Sequence, residues 1–367
     1  MKKLKYLSFL FLVMSACTSI KEEIPVLDVE SAINNPVEFD LKDYVESTKY
    51  IALETKKECL LSALGSVHFY GKDIYLSTRT DIYKFSESGK FIKQLGRHGR
   101  GPGEYNYIFD LSINRMKQEL CVSDYKYIVR YDTTGNFIAK NKMENPTGIA
   151  TVQINKDGLY FLRHSHSPKD TVAIDIFDKD FKLVKKIKNS IVRQVGTNWQ
   201  ARMSEYDGKF FYSSLVNDTI FSVDKKLENH PEMILNFGKY KSAPSDIDYF
   251  NKNLRNVYTS DSYIIGDNLM VLDLRSKRES CGLMLYFDKL NKLIHPIYTK
   301  ESSYYGVMMS GLEWHIKDAI NGNFIFSIDP VELLENIDKI EDRELKTIAE
   351  NITEESNPVL AVVRIKG

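Results

Sequence analysis

The feature that most constrains this chain is an internal repeat: Phe85, Gly89 and Phe91 recur as Tyr131, Gly135 and Phe137 at a constant offset of 46 residues. Around them, Ile74-Tyr75-Leu76-Ser77 answers to Leu120-Cys121-Val122-Ser123, and Asp81 to Ile92 answers to Tyr127 to Ile138. The pattern is two short apolar strands and a tight turn, with glycine where the backbone needs positive φ. Fainter copies follow at Leu159 to Leu162 with Ile174 to Phe181, and at Phe210 to Ser213 with Asp218 to Asp224. Two more lie at Leu269 to Leu272 with Leu283 to Asn291, and from Asn323 onward. In these copies Asp180 and Asn291 are expected to replace the turn glycine, because both tolerate left-handed geometry at modest cost. The 324 residues from Tyr44 to Gly367 then divide into six units of 54, near the roughly 40–50 of a four-stranded blade.

This predicts an all-β, six-bladed β-propeller over residues 44–367, since stacked units of this length must close or leave bare strand edges. The strand-like Tyr50 to Leu53 and Val359 to Ile365 are expected to share one blade and close the ring. A pair of β-sandwiches would not explain the 46-residue offset. Leu333, Leu334, Ile337, Ile340, Leu345, Ile348 and Ile352 follow helical spacing after Pro330, so a helix or helical hairpin over 331–352 is expected as an insertion near the C-terminus. A shorter insertion is expected from Pro244 to Leu254, capped by Ser245-Asp246.

The start of the chain points outward from the cell. Lys2, Lys3 and Lys5 precede an apolar run from Leu7 to Met14, then Ser15-Ala16 before Cys17, as in a secretory signal. The run is far short of the ~20 residues that span a bilayer. Met14-Ser15-Ala16-Cys17 resembles a bacterial lipoprotein box, which implies a signal peptide over 1–16, lipidation of Cys17 and a membrane partner through that lipid. Residues 17–43, with the polar run Lys21-Glu22-Glu23, read as a tether without a domain of its own.

Composition removes several functions. With 50 Lys+Arg against 50 Asp+Glu the formal charge is zero, and it falls to −3 without residues 1–16. The basic footprint of a nucleic-acid binder is missing. Cys17, Cys59, Cys121 and Cys281 are too far apart for a zinc ribbon or a disulfide-dense scaffold. His164-Ser165-His166 places two imidazoles together, but no third ligand follows from sequence, so a polar loop and no metal are expected. Lys182, Lys185, Lys186 and Lys188 read as solvated lysines on an outer strand. No nucleophile elbow, phosphate loop or other cofactor motif is present.

The loop Gly96-Arg97-His98-Gly99-Arg100-Gly101-Pro102-Gly103-Glu104-Tyr105 is the most unusual segment. Its amides with Arg97, His98 and Arg100 can hold an anion, or the loop can serve as a connection between blades that Glu104 and Tyr105 pin; packing is the expected role. Together with the lipobox, the Asn217-Asp218-Thr219-Ile220 segment and Asn357-Pro358-Val359-Leu360, this loop resembles the six-bladed β-propeller lipoproteins of Bacteroidetes, which are similar to NHL-repeat propellers. The resemblance covers most of residues 17–367 and implies a cell-envelope location, on the outer membrane. In that group the acidic run after Cys17 resembles a surface-export signal. Asp132-Thr133-Thr134, Asp170-Thr171-Val172 and Asp218-Thr219-Ile220 resemble its O-glycosylation acceptors, at Thr133, Thr171 and Thr219.

The expected function is a lipid-anchored binding or scaffold module for a glycan, peptide or protein partner. A polysaccharide hydrolase or lyase is the competing reading, with carboxylates gathered at the channel mouth from different blades.

Overall fold

The repeat unit is a four-stranded antiparallel sheet. In the computed structural model, which describes residues 23–37, 40–143, 149–164, 171–189, 203–214, 217–241, 259–265, 269–275, 280–288, 293–299, 306–320 and 323–366, the first copy is Val67–Tyr70, Asp73–Ser77, Ile82–Ser86 and Phe91–Leu95. This is sheet 1. Sheet 2 is Asp110–Asn114, Glu119–Asp124, Tyr127–Asp132 and Phe137–Lys142. Sheet 3 runs Ile149–Ile154, Tyr160–His164, Val172–Phe177 and Leu183–Lys188. Sheet 4 runs Met203–Tyr206, Lys209–Ser214, Asn217–Val223 and Asn229–Asn236. Sheet 5 is Thr259–Ile265, Leu269–Arg275, Ser280–Asp288 and Leu293–Thr299, and sheet 6 begins Gly306–Met309, Leu312–Ile320, Asn323–Ile328. Within each sheet the strands pair in chain order.

Sheet 6 is completed from both ends of the chain. Val359–Ile365 pairs with Asn323–Ile328 on one side and with Val45–Ala52 on the other, in the register Lys49↔Val362. The first strands of the sheets, or the second strand in sheet 6, meet their neighbours in sequence from sheet 1 round to sheet 6 and back to sheet 1. The fold is an all-β propeller. Its apolar residues collect between neighbouring sheets: Ile51 and Ile325 of sheet 6 pack with Ile74 and Phe85 of sheet 1, and Phe161 of sheet 3 lies 4.1 Å from Phe210 of sheet 4.

The repeated turn explains how each sheet docks on the one before. Ser86, Asp132, Asp178 and Asp224 open it, each 46 residues after the last. Asp132 Oδ1 accepts from Thr134 N and Asn136 N, Asp178 Oδ1 from Asp180 N and Lys182 N, and Asp224 Oδ1 from Lys226 N and Glu228 N, all at 2.8 or 2.9 Å. Three residues on, the backbone turns left-handed: Gly89 (φ 82°), Gly135 (φ 89°), Phe181 (φ 60°) and Leu227 (φ 64°). The expectation that Asp180 stands at the glycine position is therefore off by one residue. Phe181 takes it, and its ring earns the conformation by stacking on Tyr160 at 4.3 Å under the Arg130 guanidinium of sheet 2 at 4.9 Å.

Residues 17–43 are not all tether. Val26–Asp28 adds a parallel strand to the edge of sheet 4, with Val26↔Ile234, and leads into a helix, Val29–Asn34, capped by Asp28. Leu27, Val29, Ala32 and Ile33 are buried on sheet 4. Leu41 is buried against sheet 6, where Asp40 Oδ1 accepts from Ser310 N at 2.9 Å. The sequence reading missed this because burial of four apolar side chains depends on a strand some two hundred residues away. The stretch 331–352 folds as two short helices, Pro330–Glu335 and Arg343–Ala349, with a 3-10 turn between, whose Leu333, Ile340 and Leu345 pack on sheet 6. Residues 1–16, Cys17, His166, the insertion 244–254 and Asn291 lie outside the described residues.

Candidate functional site

The glycine-rich segment 96–105 is part of the connection from sheet 1 to sheet 2, and its lower half is closed packing. Glu104 folds back so that its carboxylate accepts from Gly101 N at 2.8 Å while Glu104 N donates to Gly101 O at 3.1 Å. A Cβ on Gly99 would stand 2.1 Å from that carboxylate oxygen, so the glycine makes room for the acid. Tyr105 is fully buried; its hydroxyl donates to Leu95 O at 3.3 Å and its ring meets Tyr131 edge-on at 6.2 Å. Tyr131 in turn donates to Gly103 O at 2.9 Å. Burial pushes both phenols above the ordinary tyrosine range. Lys140 closes the base by donating to Glu104 O at 2.7 Å.

The crest of the same segment is different in kind. Arg97, His98 and Arg100 are exposed, and among the described residues their side chains form no hydrogen bond or ion pair. The remainder of the connection, 106–109, is tied down on two sides: Ile108 N donates to Arg79 O at 2.8 Å, Asn106 N to Asp124 Oδ2 at 3.1 Å, and Phe109 N to Ser123 O at 2.9 Å. These ties bring three rings together. Tyr107 and Phe109 lie 4.8 Å apart, and Phe109 and Tyr125 lie 6.1 Å apart. Arg79 sits 5.9 Å over Tyr107, and Lys126 lies 5.5 Å from the Tyr125 ring.

Tyr125 is the residue of this cluster with a strained backbone. It occupies the two-residue turn between Asp124 and Tyr127 at φ 47°, and 48% of it is exposed. Such turns favour Asn-Gly, and a bulky residue at positive φ costs on the order of 1–3 kcal/mol. Neither burial nor a hydroxyl hydrogen bond among the described residues repays this cost. Chemically, the three rings offer apolar, electron-rich faces to a flat C–H surface, and the guanidinium and ammonium groups around them favour acidic substituents. Sequence reasoning named Arg97, His98, Arg100, Glu104 and Tyr105 and missed Tyr107, Phe109 and Tyr125. The one available signal was a tyrosine standing where the hairpin asks for glycine.

The family described as Domain of unknown function (DUF4934) matches residues 24–364. The chain belongs to the DUF4934 family. A protein of Bacteroides fragilis described as exported has a similar crystal structure, with a TM-score of 0.69 at 17% identity over 91% of this chain and 98% of the other. A member of the DUF4221 family from Bacteroides vulgatus follows at 0.54 and 12% identity, over 88% of this chain and 97% of the other. Both likenesses show the fold alone. No curated protein matches the sequence.

Elsewhere in this DUF4934 chain, the expected site residues are placed as follows. His164 is not in a polar loop: it is buried at the end of a strand of sheet 3, with Nε2 2.9 Å from Asp175 Oδ2. Burial raises the Asp175 carboxyl, but hydrogen bonds and charge from His164 and Lys186 outweigh it and hold the group below the usual range. Lys185, Lys186 and Lys188 lie on the outermost strand of sheet 3, and Lys182 just precedes it. Thr133 stands in the turn opened by Asp132, whose four accepted hydrogen bonds outweigh partial desolvation and lower its carboxyl to about 2. Thr171 is exposed before Val172, whereas Thr219 sits within the strand Asn217–Val223 and not in a turn.

Two carboxylates near the inner strands are already committed to joining sheets. Asp110 accepts from Ser66 Oγ of the loop entering sheet 1 at 2.7 Å and from Val152 N of sheet 3 at 2.9 Å. Asp318 of sheet 6 lies 3.1 Å from His68 Nδ1, and His68 Nε2 lies 2.5 Å from Leu111 O of sheet 2. Burial lowers the imidazole, yet Asp318, by hydrogen bond and charge, more than offsets it, so His68 titrates above its ordinary value. Both acids thus bridge neighbouring sheets.

Proposed function

We propose that this chain is a lipid-anchored, six-bladed propeller of the bacterial cell envelope that binds a glycan on the surface formed by Tyr107, Phe109 and Tyr125, with Arg97 and Arg100 favouring acidic sugars. The observation that carries the reading is Tyr125, an exposed ring held at positive φ beside two other rings and their cationic neighbours. Sugar rings have apolar C–H faces that pack on aromatic faces, and their hydroxyl and carboxylate groups are served by charged donors at the edge. Six sheets whose inner strands meet in sequence support the blade count. The segment Met14-Ser15-Ala16-Cys17 supports the anchor and with it an outer-membrane location.

The binding half is tested by screening the purified protein on an array of neutral and acidic glycans. Retention of a glycan by the wild type and its loss in Tyr125→Ala is the expected result. The anchor is tested by fractionation: Cys17→Ser should leave the membrane pellet, because the lipid chains supply the burial that keeps the protein there. A Cys17→Ser protein that still sediments after a salt wash contradicts the anchor without touching the glycan site.

A further inference from the structure

A second site lies away from the rings, between sheet 6 and the segment that leads into sheet 1. A cavity of about 670 Å³ opens there, a size that holds a ligand far larger than one side chain. One lip is Leu60 to Leu64; the other is the start of the helix Pro330–Glu335 and the turn before Val359. Leu60 and Val331, one on each lip, are 52% and 39% exposed.

The lips are rigid. Asn357 is buried and donates from Nδ2 to Glu54 O at 2.8 Å and to Cys59 O at 2.9 Å, while its Oδ1 accepts from Leu61 N at 2.9 Å. Thr353 N donates to Ser356 Oγ at 2.9 Å, and Ser356 N to Thr353 O at 2.9 Å, which closes a turn around Glu354 and Glu355. Both of these carboxylates are exposed and form no hydrogen bond or ion pair among the described residues. On the floor, Lys317 donates to Leu64 O at 3.0 Å, so its ammonium is already engaged. The backbone groups of Ser62 and Ala63 have no hydrogen-bond partner among the described residues. The cavity therefore combines apolar lips, open main-chain groups and an excess of carboxylates, Asp329, Glu354 and Glu355 against the one ammonium of Lys317, whose charge its bond to a neutral carbonyl does not cancel.

We propose that this cavity receives a short segment of a partner polypeptide in which leucine-like side chains stand next to lysine or arginine. The apolar side chains enter between Leu60 and Val331, and the cations meet Glu354 and Glu355. Preorganised lips lower the ordering cost of such a complex, and charge complementarity selects basic over neutral segments.

The test uses two probes on the full chain, acetyl-Leu-Lys-Leu-Lys-amide and its neutral counterpart acetyl-Leu-Gln-Leu-Gln-amide, with binding followed by ligand-observed NMR. The lysine peptide should bind roughly fivefold or more tightly than the glutamine peptide, and the margin should shrink as salt rises from about 0.05 to about 0.5 M. Glu354→Gln with Glu355→Gln should erase the margin, and Leu60→Ser should weaken both peptides; unchanged thermal melting shows that these exposed positions leave the fold intact. Equal binding of the two peptides, an unchanged margin in the double variant, or failure of the lysine peptide to bind overturns the proposal.

Discussion

The base and the crest of the sheet 1 to sheet 2 connection are a few residues apart and obey opposite rules. At the base, Glu104 and Tyr105 are bonded on every side and the glycines exist to let them in. At the crest, Arg97, His98 and Arg100 are exposed and their side chains form no hydrogen bond or ion pair among the described residues, and against the far end of the connection Tyr125 holds a costly backbone conformation with an exposed ring. The contrast teaches that one unusual segment can be closed packing in one half and open, unpartnered surface in the other, divided residue by residue.

The base should give the largest effect when broken. Tyr105→Ala removes a fully buried ring between sheets 1 and 2 and is expected to cost about 4 kcal/mol in urea unfolding. A loss under about 1 kcal/mol would mean that the base is not packing. The repeated turns sharpen the same point at lower amplitude. Phe181 and Leu227 show that positive φ alone does not demand glycine, but a Cβ on Gly89 would stand 2.2 Å from Ala52 O of the preceding sheet, whereas nothing lies within 4 Å of one on Gly71, also at positive φ. Gly89→Ala should therefore cost about 3 kcal/mol and Gly71→Ala about 1 kcal/mol. Equal costs would leave close approach without a role.

These turns also explain how far the sequence could be read. Sheets 1 and 2 announce themselves because Gly89 and Gly135 mark the place where a neighbour's backbone or side chain comes close. The equivalent turns of sheets 3 and 4 keep the same 46-residue step and open with Asp as the turn of sheet 2 does, but Phe181 and Leu227 hide the positive φ behind apolar side chains. Val26–Asp28 was illegible because a three-residue strand has no periodicity of its own and its partner is remote in sequence. Of the candidate site, the loop could be seen as an oddity. The ring cluster could not, since Phe109, beside Tyr107, meets Tyr125 only after the hairpin of sheet 2 folds back on the connection.

A third prediction concerns the ring of sheets that carries this connection. His68 gains its proton in the folded state through Asp318, so its stabilising contribution is present below the ordinary histidine value near 6.5 and fades as pH rises through the higher folded value. Wild-type stability should fall over that interval, and His68→Gln should flatten the profile there. A profile that is the same in both proteins would remove His68 from the closure of sheets 6, 1 and 2.

The smallest expected change in stability belongs to the crest, and it decides the central claim. The triple variant Arg97→Ala, Arg100→Ala, Tyr125→Ala should unfold within about 0.5 kcal/mol of the wild type, because none of the three side chains is buried or forms a hydrogen bond or ion pair among the described residues. The direct measurement is the affinity of that variant, beside the wild type, for the glycan that the array retains. The account predicts a folded protein that no longer binds; binding at wild-type strength would contradict it.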